Sequence, residues 1–143
     1  IGLADPQAVV QALAAKDVYD FLGSPEGEIA LAQTVIYLAS APKSNAVYTA
    51  LGAAKRAAQE HGSLMPPAHI LNAPTKLMKN LGYGKGYEYD HEAEEGFSGQ
   101  NYFPEAMDRQ SFYQPRDVGF EREVQKRLDY WAKLRAKRAA KEE

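Results

Sequence analysis

Apolar residues recur along most of the chain at spacings of three and four, so the pattern predicts helices rather than strands. Val9, Val10, Leu13, Val18, Phe21 and Leu22 give the first wide apolar face. Asp5-Pro6 opens it: the aspartate oxygen can accept from free backbone N–H groups, and proline is pre-set for a first helical turn. Gly23 closes it, which predicts a helix over residues 6–22. Ser24-Pro25 repeats the same start, with Glu26 and Glu28 opposing the positive end of the helix dipole. In this second helix, ending near residue 41, Ile29, Ala32, Val35, Ile36 and Ala39 make one stripe that Leu31 and Leu38 widen. A helix so broadly apolar is expected at the centre, buried on most sides.

Pro42 ends that helix, and Ser44 can cap a third over residues 45–61, closed by Gly62. Its expected inner face is Val47, Leu51, Ala54 and Ala58, and Gly52 in mid-helix predicts a backbone close by. Residues 63–71, with Pro66-Pro67, read as an irregular connection, and a short helix follows over residues 74–81, stopped by Gly82. The next segment, up to Gly119, is rich in glycine and aromatics: Tyr83, Tyr87, Tyr89, Phe97, Tyr102, Phe103, Phe112 and Tyr113. Large rings with hydrogen-bonding tips predict an ordered loop pinned to the helices, with a short strand pair between residues 87–89 and 102–103.

Phe120, Val124, Leu128 and Trp131 mark a last amphipathic helix starting near Gly119. Beyond Leu134 the stripe fails, leaving residues 135–143 as a charged helical extension expected to fray. The fold class is therefore all-α: a helical array of about five helices over residues 1–134, with a tyrosine- and glycine-rich irregular segment before the last of them. No internal repeat is present.

With 143 residues the chain has the size of one ordinary domain, able to bury roughly 68–70% of its unfolded surface. The absence of cysteine excludes a disulfide framework, a thiolate nucleophile and cysteine-ligated zinc, and fits a reducing cytoplasm. Apolar runs are far shorter than the ~20 residues that cross a bilayer, so a soluble protein with no membrane partner is expected. A formal net charge of −2 argues against a dedicated DNA clamp. The chain opens at Ile1 without a methionine, which leads us to expect a piece of a longer protein.

Candidate chemistry is sparse. Glu88, Asp90, His91, Glu92, Glu94 and Glu95 offer metal-ligand atoms, but their spacing matches neither an EF-hand nor a paired-histidine zinc site, so a solvated loop is the better reading and no metal is expected. His61, His69 and His91 are the only imidazoles, none in a nucleophile elbow, and they read as capping or core-satisfying groups. No G-x-x-x-x-G-K-[ST] loop exists; in Gly84-Lys85-Gly86 the following Tyr87 stands where a magnesium-binding hydroxyl belongs. The chain by itself is thus expected to bind no nucleotide cofactor and to have no catalytic residue. Lys133, Arg135, Lys137, Arg138 and Lys141 form a basic run that dipole complementarity already explains; if it binds phosphates, removing it should lower affinity.

Two long motifs remain: Ala39-Ser40-Ala41-Pro42-Lys43-Ser44-Asn45-Ala46-Val47-Tyr48, and Asn72-Ala73-Pro74-Thr75-Lys76-Leu77-Met78-Lys79-Asn80-Leu81-Gly82-Tyr83-Gly84-Lys85-Gly86-Tyr87. In this order they resemble the C-terminal domain of the replication-associated recombination protein A family, also called MgsA. These are AAA+ ATPases related to clamp loaders and to the eukaryotic Werner-helicase-interacting protein. The resemblance runs from Gly2 to about Trp131. It implies a post-AAA+ oligomerisation domain of the clamp-loader-collar type that assembles a homotetramer. It also implies a parent ATPase, using ATP and Mg bound upstream of this segment, that acts on DNA with gaps or ends beside single-strand-binding protein in the bacterial cytoplasm, at the nucleoid.

The residues of the two motifs offered for contact are Lys43, Ser44, Asn45, Tyr48, Asn72, Thr75, Lys76, Lys79, Tyr83, Lys85 and Tyr87. Lysines interleaved with tyrosines are what a single-strand groove uses, but the same residues could order a subunit interface or cap helix ends. The competing reading is accordingly a DNA-binding module working through these lysine–tyrosine motifs.

Overall fold

The computed structural model describes residues 1–142, with the side chains of Glu94 and Glu142 outside that description; Glu143, the end of the expected charged extension, lies outside the described residues. Among them there are five α-helices and no strand: α1 Gln7–Leu22, α2 Glu26–Ser40, α3 Ala46–His61, α4 Lys76–Asn80 and α5 Glu121–Glu142. The chain divides into two compact units. The first comprises Ile1–Ala53 and Phe112–Arg127, the second Ala54–Ser111 and Leu128–Glu143.

In the first unit α1 starts as its sequence dictates. Asp5 Oδ1 accepts from the Gln7 N–H at 3.0 Å, and the Gly23 N–H donates to the Tyr19 carbonyl at 2.8 Å where the helix stops. The start of α2 differs from expectation. No Ser24 side chain caps it; the Gly23 carbonyl takes the Gly27 N–H at 2.7 Å instead.

α1 and α2 pack on each other through small residues. Ala8 and Ala15 are the buried positions of α1, and Gly27 is the buried position of α2. A Cβ on Gly27 would stand 2.8 Å from the Tyr19 Cα, so the two backbones are in direct contact there. This corrects the expectation that α2 is buried on most sides. Its stripe exists, but Ile29, Val35 and Ile36 are 69%, 65% and 70% exposed. Backbones this close leave no room for large side chains between them, so the bulky residues turn to the opposite side of each helix. α3 shows the inversion in part: Ala46 is buried and Ala50, Ala53 and Ala57 are half-buried, while of its expected inner face Val47, Leu51 and Ala58 are exposed and Ala54 is half-buried.

α5 begins on a fixed support. The Phe120 N–H donates to the Ala4 carbonyl at 2.8 Å, and the next residue, Glu121, is fully buried. Its carboxylate accepts from the Ser44 hydroxyl at 2.9 and 3.0 Å and from the Arg116 N–H at 2.7 Å. A buried carboxylate is tolerated only when donors surround it. Glu121→Gln keeps the shape but turns an NH₂ group toward those donors. A stability loss of about 2 kcal/mol is expected, read as a lower denaturant midpoint with the slope unchanged.

In the second unit α4 is shorter than its predicted span, because Thr75 caps it, its Oγ1 accepting from the Met78 N–H at 3.2 Å. The aromatic segment is ordered by side chains rather than by strands, which corrects the expected strand pair. Gln100 does the bridging: its Oε1 accepts from the Glu88 N–H at 3.1 Å and its Nε2 donates to the Gly86 carbonyl at 2.6 Å. Asp90 Oδ1 accepts from the Ser98 N–H at 2.8 Å, and that bond, more than any other cause, holds the Asp90 carboxyl below its ordinary range. The segment is pinned to α5, as expected. Phe97 stacks on Trp131 with centroids 6.3 Å apart and planes 8° from parallel, and Arg138 donates to the Ser98 carbonyl at 3.0 Å. Leu134, where the apolar stripe of the sequence ends, is buried.

Candidate functional site

The first unit exposes large apolar side chains on two helices. On α1, Val9, Val10, Leu13 and Phe21 lie opposite the buried alanines, and Phe21 is 87% exposed. On α2 the outward residues are Ile29, Val35 and Ile36. A cavity of about 610 Å³ opens at Val9, lined also by Leu3, Pro6, Ala12, Leu38 and Val47 among others. Its only charged side chain is Asp5, and Asp5 is already occupied: its Oδ2 accepts from the Tyr37 hydroxyl at 2.7 Å, a bond that pushes the Tyr37 phenol up from its ordinary value. The chemistry available there is burial of apolar surface, without proton transfer or metal ligation.

The two sequence motifs fall in different units. Of the first, Lys43 Nζ donates to the carbonyl of Leu38 at 2.7 Å and to that of Ala41, closing the C-terminus of α2. Ser44 bonds Glu121 and also accepts from the Ala46 N–H at 3.1 Å, and Asn45 Oδ1 accepts from Arg116 at 3.1 Å. These three residues therefore hold the fold together. Tyr48 is the exception, 81% exposed.

Of the second motif, Thr75 is spent on capping α4, and Lys76, Lys79 and Lys85 are exposed. Tyr83 lines a cavity of about 330 Å³ with Leu64, Met65 and Pro104, whereas Asn72 and Tyr87 line another, of about 390 Å³, with His69 and Tyr102. The motif thus supplies two cavities rather than one lysine–tyrosine groove. The acidic residues of the loop are dispersed as well. Glu88 Oε2 lies 3.4 Å from Arg138 and Glu95 Oε1 lies 3.6 Å from Lys137; among the described residues no group of three or more His, Asp or Glu gathers as a metal site.

Sequence reasoning missed Glu121 and Tyr113. A glutamate in a first helical turn reads as dipole complement, and only the partner 77 positions away reveals that it is buried. The Tyr113 hydroxyl is buried near Glu121 without the geometry of a hydrogen bond, and burial first, then the adjacent carboxylate, pushes its phenol up to about 12. Its folded-state value thus lies above the unfolded value near 10. The neutral phenol is the form the fold favours, so this contribution to stability is complete below about pH 10 and is lost as pH rises toward 12. Tyr113→Phe should flatten the decline of the urea midpoint over that interval; an unchanged decline would refute the assignment.

The described residues thus define an all-helical protein with apolar side chains turned outward on α1 and α2. Comparison with known proteins supplies the particular family. Residues 1–132 match the family described as MgsA AAA+ ATPase C terminal, and the chain belongs to it. It is similar to the replication-associated recombination protein A of Coxiella burnetii (47% identical, covering 94% of this chain and 31% of that protein) and of Escherichia coli K12 (44%, 92% and 30%). A protein of Dictyostelium discoideum named ATPase WRNIP1 is 37% identical over 80% of this chain and 13% of its own length. The chain spans about a third of the length of the first two relatives. No described helix is long and apolar enough to cross a membrane.

Proposed function

We propose that this chain is the self-association domain of a AAA+ ATPase that maintains replication forks and takes part in recombination and repair. The observation that carries this reading is the inversion of side-chain size: alanines and glycine fill the contacts within the first unit, and the large apolar residues of α1 and α2 point away from it. The chain exposes 10717 Å², whereas two separate compact domains of half its mass would together expose about 8,800 Å². Seven large apolar side chains of α1 and α2, Val9, Val10, Leu13, Phe21, Ile29, Val35 and Ile36, are each more than half exposed, and apolar surface of this kind marks a site of protein association. A second copy, presenting the same stripes, is the occupant whose chemistry matches.

In this reading the assembly is a homotetramer, as the resemblance implies. ATP and Mg belong to the catalytic module that precedes this segment in its relatives, DNA and single-strand-binding protein are partners of the whole ATPase, and the site of action is the bacterial nucleoid. The segment itself turns over no nucleotide. DNA contact through the first motif is disfavoured by the engagement of Lys43, Ser44 and Asn45 within the fold. The test is the mass of the chain in solution by light scattering across a concentration series: four times the chain mass is expected, and a monomer at high micromolar concentration refutes the reading.

A further inference from the structure

Self-association through the first unit leaves one feature of the second unit unused. Two cavities adjoin at His69. One, of about 380 Å³, is lined by Glu88, Asn101, Arg135 and Arg138 among others; the other, of about 390 Å³, by Asn72, Tyr87 and Tyr102. Their chemistry is complementary. The first has two guanidinium groups against one carboxylate, and the carboxylate, Glu88, sits with Arg138. Arg135 forms no ion pair among the described residues; its guanidinium stands 5.6 Å from the centre of the Phe97 ring. A third arginine, Arg109, donates to the Gly99 and Gln100 carbonyls at 3.0 and 2.8 Å, and burial, then the like charge of Arg135, lowers its proton affinity. Cations crowded in this way are relieved by an anion, and guanidinium pairs suit phosphate oxygens.

The second cavity carries no charged side chain and offers aromatic rings. Tyr87 and Tyr102 are each more than two-fifths exposed, and Tyr102 lies 5.9 Å from the His69 imidazole. The His69 ring lines both cavities, and its Nε2 is buried without a hydrogen-bond partner, which is rare for a buried polar atom.

We infer that these cavities bind a nucleotide unit, with its phosphate at Arg135 and Arg138 and its base against Tyr102 and His69. Each cavity lies within the ~300–1,000 Å³ of small-molecule sites. An acidic peptide would use the arginines but would leave the uncharged aromatic cavity idle. A free nucleoside monophosphate and one nucleotide of a single strand present the same chemistry, and strands are commonly held by base stacking on aromatics beside basic groups. The site does not depend on the self-association reading, since none of its residues lies in the first unit.

The test uses the whole 143-residue chain. Anisotropy of a fluorescein-labelled oligothymidylate at low salt measures the strand, and an NMR titration of the His69 imidazole with thymidine monophosphate measures the free nucleotide. Binding of the strand should weaken at least ~10-fold in Arg135→Glu and several-fold in Tyr102→Leu, and the salt slope should fall by about one in the first variant. Arg135→Gln, which keeps an aliphatic stem beside Phe97, should show most of the same loss with an unchanged melting temperature. Lys133→Glu makes the same charge change outside the cavities and should alter affinity less than about two-fold. Nucleotide binding at His69 without strand binding supports the site and assigns it to free nucleotides. Absence of both, equal losses in Arg135→Glu and Lys133→Glu, or inorganic phosphate shifting His69 as strongly as the nucleotide would overturn it.

Discussion

Gly119→Ala is expected to lower the melting temperature by more than about 10 °C, a loss of roughly 4 kcal/mol or more. Gly119 has φ +48°, a backbone conformation that side chains disfavour, and a Cβ built on it would stand 2.0 Å from the Ala4 carbonyl oxygen and 2.9 Å from Pro42 Cγ. The nearest obstacle is backbone, so no rotamer change relieves it. Moving Gly119 away would stretch the Phe120-to-Ala4 hydrogen bond and carry the fully buried Glu121 off the Ser44 hydroxyl. Gly23→Ala is the matched control: φ is again positive, +65°, but nothing lies within 4 Å. It should show only the backbone strain, about 1–3 kcal/mol. Calorimetry that found the two variants alike would refute a steric requirement at Gly119.

Phe21→Asp and Ile36→Asp should each weaken self-association at least ~100-fold while leaving the helical circular dichroism intact. Both residues are among the most exposed apolar positions of the chain, 87% and 70%, so in the isolated chain the substitutions replace surface by surface and should change stability by less than ~0.5 kcal/mol. Between copies the same change removes about 1.5–3 kcal/mol of apolar burial per side chain and places a carboxylate in a dry contact. Sedimentation should therefore show single chains at concentrations where the unmodified protein is assembled. Variants that keep the full assembled mass would place the interface elsewhere. Leu→Asp changes at other outward positions, such as Leu13, would then map it.

The helices were legible because each is punctuated by residues with one reading. Asp5-Pro6, Gly23, Pro42 with Ser44, Gly82 and Gly119 stand within a few residues of the observed ends. The stripe Ile29, Ala32, Val35, Ile36 and Ala39 was legible too, but not its direction. Periodicity tells which residues share a face; it is silent on whether the partner of that face belongs to the same chain. The burial of Glu121 and the work of Ser44 were hidden for a different reason, since each depends on a residue 77 positions away. In the aromatic segment, composition announced order but not its means. A single amide, Gln100, holds Gly86 and Glu88 where a ladder of backbone bonds was expected. The arginines of the His69 cavities stood in plain view as a basic run, and only the fold separates Arg135 and Arg138 from the exposed Lys133.

If copies associate through the outward side chains as proposed, packing by alanine and glycine makes the unit's resistance to heat a property of the population rather than of the molecule. Each tenfold dilution would then withdraw part of the cover that a second copy would give to the exposed Phe21 and Ile36, and the melting curve should slide downward with dilution. On the same reading, a cell short of this protein would hold copies that are not merely fewer but also softer.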